Sequence, residues 1–205
     1  MTDAAFWDRL APRYSRQPIS NMDAYEATLA RVKTYLSDTD RVLELGCGTG
    51  STALLLAPFT KEYEGTDISG GMIDIALEKT WNASIPNVSF RRAGVDPAHY
   101  EGRNPDTILA FNLFHLVPDT DAALRMVYDL LPSGGLFISK TPCVGAKWYY
   151  RPMVAVMRAI GKAPFVRFLK VDELDQLVTD TGFEIVETGL YPPSTPSRFI
   201  VARKP

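Results

Sequence analysis

The run VLELGCGTG over residues 42–50 constrains this chain more than any other part of it. Val42 to Leu45 reads as an apolar strand interrupted only by Glu44, and it breaks into Gly46, Gly48 and Gly50. Glycines at that spacing allow a tight strand-to-helix turn and let a ligand approach the backbone closely. The positive end of the next helix lies just behind. A dinucleotide-binding turn needs G-x-G-x-x-G, but position 51 is Ser, so the last glycine arrives one residue early. Glu44 points the same way, because a carboxylate there repels a pyrophosphate and favours a cationic ligand.

Beyond this loop, short apolar runs alternate with helical segments. Strands are expected at 41–45, 62–67, 88–92, 107–112 and 136–140, the last announced by the turn Pro132-Ser133-Gly134-Gly135. Helices are expected at 22–36, 51–57, about 71–79, about 120–131 and 172–181, with two closing strands at 183–189 and 198–202. Apolar strands alternating with helices indicate a parallel sheet covered on both faces. Right-handed crossovers then give a doubly wound α/β sandwich, with its ligand beyond the carboxyl ends of the strands. Those ends carry Gly46, Asp67, Asn112 and Lys140. Asp67 lies about 20 positions past the glycine loop, placed to accept hydrogen bonds from ribose hydroxyls. It could equally cap the following helix, as could Ser69.

At 205 residues, 46% hydrophobic and 22% charged, the chain has the profile of one globular domain. A net charge of −2 argues against a polyanion-binding surface over the whole molecule. Cys47 and Cys143 are too few and too far apart for a disulfide framework or a zinc cluster. No metal is expected, and a reducing cytoplasm is the simplest location. The opening MTDAAFWDRLAP lacks the apolar core of a signal peptide, and no stretch is long enough to span a bilayer.

VLELGCGTG followed by GTDISGGMIDIA resembles the first two motifs of class I S-adenosylmethionine (SAM) dependent methyltransferases, particularly the small-molecule group that includes ubiquinone and menaquinone biosynthesis enzymes. FNLFHLVPDTDAALRMVYDLLPSGGLFIS and DELDQLVTDTGFEIVE agree with the family in order and spacing. The resemblance implies a Rossmann-like seven-stranded sheet, mostly parallel with the last strand antiparallel. It also implies SAM as cofactor, with Gly46, Cys47, Gly48 and Gly50 around the methionine moiety. Asp67 would hold the ribose, and Ile68 and Met72 would pack on the adenine. Glu44 suits the sulfonium and amino group of SAM. Family members often carry an acidic residue just after the third strand, facing the adenine amino group; this chain reads Arg92-Ala93-Gly94-Val95-Asp96 there. Either Asp96 serves from a shifted register or a backbone group at Gly94 and Val95 does.

Methyl transfer from a sulfonium is an in-line displacement catalysed largely by orientation and desolvation, and a base is needed only if the acceptor must lose a proton. His115 follows the fourth strand and is the candidate base, against a structural role for a histidine that is common there in the family. Asn112 is the better cofactor contact. FNLFHL lacks the Asp/Asn-Pro-Pro-aromatic motif of methyltransferases that act on DNA bases, so nucleic acid is not the expected substrate. The segment Phe6-Trp7-Asp8 to Tyr14 resembles the family's helical lid. Tyr14, read as lying in a loop after Pro12, is the candidate for a functional aromatic near the sulfonium.

The expected organisation is one domain in four parts. Residues 1–38 form the lid, 39–143 the SAM-binding core, 144–170 a substrate-side insertion, and 171–205 a closing helix and strands. Lys140 and Thr141 leave the fifth strand toward the acceptor, unless Lys140 is a snorkelling surface lysine. In the insertion, Lys147, Arg151, Arg158, Lys162, Arg167 and Lys170 are basic, and no acidic residue occurs between Lys140 and Asp172. Arg151-Pro152 opens a short helix that Gly161 ends, with Arg151, Arg158 and Lys162 expected on one face. Trp148, Tyr149 and Arg158 are the acceptor-side candidates. This stretch is either a helix packed on the core or a lid for an amphiphilic acceptor with transient contact to anionic lipid. The function expected is methyl transfer from SAM to a small molecule, either lipid- or quinone-like or a smaller polar metabolite. A nicotinamide-dependent oxidoreductase and a non-catalytic SAM-binding partner protein are the alternatives.

Overall fold

The computed structural model describes residues 3–191 and 196–205, except for the Trp148 side chain. Its seven strands are β1 (Arg41–Leu45), β2 (Glu62–Asp67), β3 (Val88–Arg92), β4 (Thr107–Phe111), β5 (Leu136–Pro142), β6 (Glu184–Leu190) and β7 (Ser197–Arg203). They form a single sheet in the order β3-β2-β1-β4-β5-β7-β6. The β1–β2, β1–β4, β2–β3 and β4–β5 pairings are parallel, and β7 runs antiparallel between β5 and β6. The order reverses between β1 and β4, which makes the carboxyl ends of those two strands the switch point where a ligand crevice forms.

The α-helices among the described residues are α1 (Asp3–Tyr14), α2 (Met22–Lys33), α3 (Ser51–Leu56), α4 (Gly70–Ala83), α5 (Thr120–Leu130), α6 (Arg151–Ala159) and α7 (Val171–Asp180). Side chains alternate across a strand, and the core divides accordingly. Leu43, Leu45, Ile108, Ala110 and Phe137 pack on one face with Leu124 and Val127 of α5 and Leu174 and Val178 of α7. Val42, Leu109, Ile138 and Phe199 pack on the other with Leu29 and Val32 of α2 and Ala53 and Leu56 of α3.

Several boundaries differ from the sequence pattern for identifiable reasons. The helix expected to reach residue 36 ends at Lys33, because the Thr34 N–H turns back to the Arg31 and Val32 carbonyls. The fourth strand stops at Phe111, since Asn112 enters the left-handed region at φ +56°. The fifth strand continues through Pro142, so Lys140 and Thr141 lie within it, opposite Phe199 and Arg198 of β7. Tyr14 is the last residue of α1 and not part of a loop. Pro12 removes one backbone donor, yet the turn holds, with the Ser15 N–H donating to the Ala11 carbonyl at 3.0 Å. Lys162 lies beyond the end of α6 and so does not share its face with Arg151 and Arg158.

Candidate functional site

A cleft of about 660 Å³ opens at the carboxyl ends of β1, β2, β3 and β4, roofed by residues of α1 and the loop that follows it. Its floor is the glycine loop. Gly46, Gly48 and Gly50 all have positive φ, at +69°, +54° and +74°, conformations that side-chain-bearing residues rarely adopt. The three have different neighbours. A Cβ on Gly46 would meet Leu113 at 2.9 Å, and one on Gly50 would meet Phe90 at 2.7 Å and Ala76 at 2.8 Å. At Gly48 nothing lies closer than the Tyr14 ring at 4.0 Å, so this glycine keeps the floor of the cleft open. Gly46, Cys47 and Gly48 line the cleft; Gly50 stands behind them, where α3 and α4 come together. The floor is a cradle that a Cβ would fill, and it fits an extended organic ligand.

Asp67, at the end of β2, spans the loop. Its carboxylate accepts from the Gly48 N–H at 3.0 Å and from the Ser69 N–H at 2.9 Å. Burial raises its pKa, partly offset by these donors. Glu44 is almost wholly buried beneath the loop and accepts from the Tyr63 hydroxyl at 2.9 Å. Burial pushes its carboxyl up to about 7. Ile68, Met72, Gly94 and Val95 line one side of the cleft. Asp96 does not line it: its carboxylate accepts from the Ala98 N–H at 3.0 Å and caps a single turn at 97–100. The left-handed backbone of Asn112 holds it at the cleft edge, with its N–H on the Lys140 carbonyl at 2.7 Å.

Across the cleft stand Trp7, Tyr14, Gln17, Ile19 and Tyr25, with Phe111, Leu113, Leu116 and Val117 below them. Trp7 and Tyr14 meet edge to face at 6.4 Å between ring centroids. The Tyr14 phenol is raised by burial and by the nearby Asp67 charge, so it stays protonated. The remaining sequence candidates lie elsewhere. His115 is outside the cleft lining, its Nδ1 is buried with no hydrogen-bond partner among the described residues, and burial lowers its pKa to about 4. Lys140 donates to the Thr28 hydroxyl at 3.0 Å. Thr141 is fully buried in β5. Tyr149 is exposed and packs on Tyr150, and Arg158 stacks on Phe165 at 5.0 Å. The Trp148 side chain lies outside the described residues.

Two residues of the site have no local sequence signature. Asp8 of α1 accepts from the Ser69 hydroxyl at 2.7 Å and from the Gly71 N–H at 3.0 Å, which docks α1 on the start of α4. Gly71 permits that approach, since a Cβ there would press on the Asp8 backbone at 3.3 Å. Lys79 of α4 donates to the hydroxyls of Thr49 and Ser51, both at 2.9 Å, and so ties together the two sides of the Gly50 turn. A second hollow, of about 390 Å³, lies among the amino ends of β1, β2 and β3. It is at the wrong end of the strands for a switch-point ligand.

The methyltransferase domain family model matches residues 15–188. A ubiquinone biosynthesis O-methyltransferase of Ruegeria pomeroyi is 28% identical over 152 residues, covering 72% of this chain and 61% of that protein. The chain therefore spans less than two thirds of that relative's length. Among solved structures, the DhpI–SAH complex superposes with a TM-score of 0.78 at 20% identity, covering 98% of this chain and 95% of that one. Magnesium protoporphyrin IX methyltransferase from Synechocystis PCC 6803 with bound SAH gives 0.71 at 18% identity, covering 99% and 96%. At these identities the structures show a shared fold, and the family match carries the assignment. With its glycine loop, its acidic second-strand end and its 3-2-1-4-5-7-6 sheet, the chain belongs to the methyltransferase domain family, class I and SAM-dependent.

Proposed function

We propose that this chain transfers the methyl group of SAM to a small, largely apolar acceptor in the cytoplasm, with nucleic acid not a substrate. The observation that carries this reading is the open floor at Gly48 flanked by Asp67, with buried Glu44 beneath it. Asp67 keeps acceptor capacity for ribose hydroxyls after its two backbone bonds. Ile68 and Met72 on one side and Gly94 with Val95 on the other suit a flat base. Gly46, Cys47, Glu44 and the Asn112 backbone would hold the methionyl end, with Gly50 supporting the loop from behind.

Bound SAM supplies an electrophilic methyl on a sulfonium. The chain supplies orientation and dryness, which account for most of the rate in an in-line displacement. Trp7, Tyr14, Ile19, Leu113, Leu116 and Val117 form the acceptor-side wall, and Tyr14 offers its ring or its phenol O–H. Their apolar character supports a lipid- or quinone-like acceptor, in keeping with the name of the Ruegeria relative. Lys140, Thr141, Tyr149 and Arg158 are left out of this reading, because none lines the cleft. The two free cysteines, both buried, suit a reducing compartment.

The test is incubation of the protein with a cell extract and methyl-labelled SAM, read by mass spectrometry beside calorimetry with SAM and with NAD. Label in a small molecule and heat with SAM alone are expected. Heat with NAD and none with SAM would overturn the reading, as would label in nucleic acid.

A further inference from the structure

The outer face of α6 has no part in the cleft. At 100° per residue, Met153, Val156 and Ile160 fall within an arc of about 60°, with Arg151 and Arg158 on the opposite side. A surface helix ordinarily turns such an apolar arc toward the core. Here Val154 and Met157 are the partly buried residues of the helix, and the Met153, Val156 and Ile160 arc is left outside. Met153, Val156 and Ile160 are 52%, 62% and 60% exposed, and no residue of α6 is buried. Arg151 and Arg158 are exposed as well, with their guanidinium groups over Phe168 at 5.5 Å and Phe165 at 5.0 Å. Tyr149 and Tyr150 extend the exposed surface ahead of the helix.

Charge selects the occupant. The chain carries −2 overall, yet residues 141–171 contain no Asp or Glu. Arg167 of this stretch pairs with Asp121 and Glu173. Lys147, Arg151, Arg158, Lys162 and Lys170 take part in no ion pair among the described residues. A second copy of the chain fits poorly, because self-association would set these cations against each other. A stripe of a few side chains also buries far less than the roughly 800 Å² per partner of a stable interface.

We infer that α6 docks on the surface of an anionic bilayer. Its apolar arc sits at the boundary between headgroups and acyl chains, and the basic side chains reach the headgroup phosphates. An apolar arc opposed by a basic one suits an interfacial helix, and lysines and arginines held near an anionic leaflet add to its binding. The docked surface adjoins the roof of the cleft. Arg9 of α1 donates to the Gly161 carbonyl at 2.5 Å, and the Phe165 N–H donates to Asp3 of α1 at 3.3 Å. Delivery of an amphiphilic acceptor from the bilayer rests on the methyl-transfer reading; docking itself does not.

The test is co-sedimentation of the protein with vesicles of phosphatidylcholine alone and of phosphatidylcholine mixed equally with phosphatidylglycerol. Sedimentation is expected with the anionic vesicles only and should weaken as salt is added. Val156→Asp with Ile160→Asp should abolish it, and Arg151→Gln with Lys162→Gln should weaken it about fivefold for each cation removed. All these substitutions are at exposed positions, and each variant should give the same calorimetric heat with SAM as the wild type. Wild-type protein left in the supernatant with both vesicle types overturns the inference. So does unchanged binding by the Asp variant, or light scattering that shows a dimer which this variant dissociates. Sedimentation without any heat from SAM would leave docking standing and remove the proposed function.

Discussion

The Ser69 hydroxyl donates to the Asp8 carboxylate at 2.7 Å and accepts from the Met72 N–H at 3.1 Å, so one side chain both caps α4 and fastens α1 to it. Ser69 also donates its backbone N–H to Asp67. The floor of the cleft and its roof are thus joined through a single residue.

Asp8→Ala should therefore release α1 without unfolding the sheet. Loss of these hydrogen bonds is expected to weaken SAM binding about threefold to tenfold. Amide exchange in α1 should rise while exchange in β1, β4 and β5 stays slow. The Ser69 and Gly71 donors lower the Asp8 pKa. Docking is thus fully present above the ordinary carboxylate value and is lost as pH falls through the depressed one. Unchanged exchange in α1 would show that the lid is held by other contacts.

Asp67→Ala should weaken SAM binding far more than Asp96→Ala. Loss of charge-assisted hydrogen bonds costs on the order of 1.5–3 kcal/mol, or roughly tenfold to a hundredfold in affinity. Asp96 only caps a short turn outside the cleft, so its variant should bind as the wild type does. Equal dissociation constants for the two variants would place the ribose elsewhere.

Much of this arrangement is legible in the sequence, for physical reasons that also set the limit. A buried parallel strand such as β4 (TILAF) is a continuous apolar run, and the boundaries expected for β1, β2 and β3 match the structure although EYEGTD of β2 and VSFRR of β3 are mixed in polarity. The glycine loop and Asp67 are legible because strand-end chemistry is local. The Asp8–Ser69 bond joins residues 61 apart, and no local pattern announces it. The role of Gly50 depends on Phe90 and Ala76, which arrive from other elements. Lys140 ends an apolar run as a cleft residue would, but β5 continues past it and its ammonium turns to α2. In α6 the amphipathic pattern is plain; which arc faces the core is decided by tertiary packing.

Glu44 should make SAM binding depend on pH. Its carboxyl titrates at about 7 in the free protein, and a cationic ligand favours the ionised form. Binding on the acid side of that value should release a proton, and affinity should rise with pH until it levels above about 7. Calorimetry in buffers of different ionisation heat reads the release directly. For folding the sign is opposite. The folded pKa lies above the unfolded value of 4.5, so stability of the free protein falls as pH rises between 4.5 and about 7. Glu44→Gln keeps an acceptor for Tyr63, and should bind SAM roughly tenfold or more weakly with no proton release. It should also melt a few degrees higher than wild type at alkaline pH. Proton release that persists in this variant would assign the titration to another group.

His115 separates a structural role from a catalytic one. It is largely buried with Nδ1 unpartnered among the described residues, it does not line the cleft, and its pKa falls from 6.5 to about 4. An imidazole held to so low a pKa is a weak base, and the cost of keeping it neutral is borne by the fold. Between pH 6.5 and about 4 the unfolded chain takes up a proton that the folded chain refuses, so stability declines as pH falls through that window. The full difference is about 3 kcal/mol from the size of the shift. His115→Leu should remove this slope, leave SAM affinity unchanged and keep most of the turnover on the identified acceptor. A general base would contribute about a hundredfold or more. Loss of turnover on that scale, with SAM binding and melting temperature intact at neutral pH, would return His115 to the catalytic machinery.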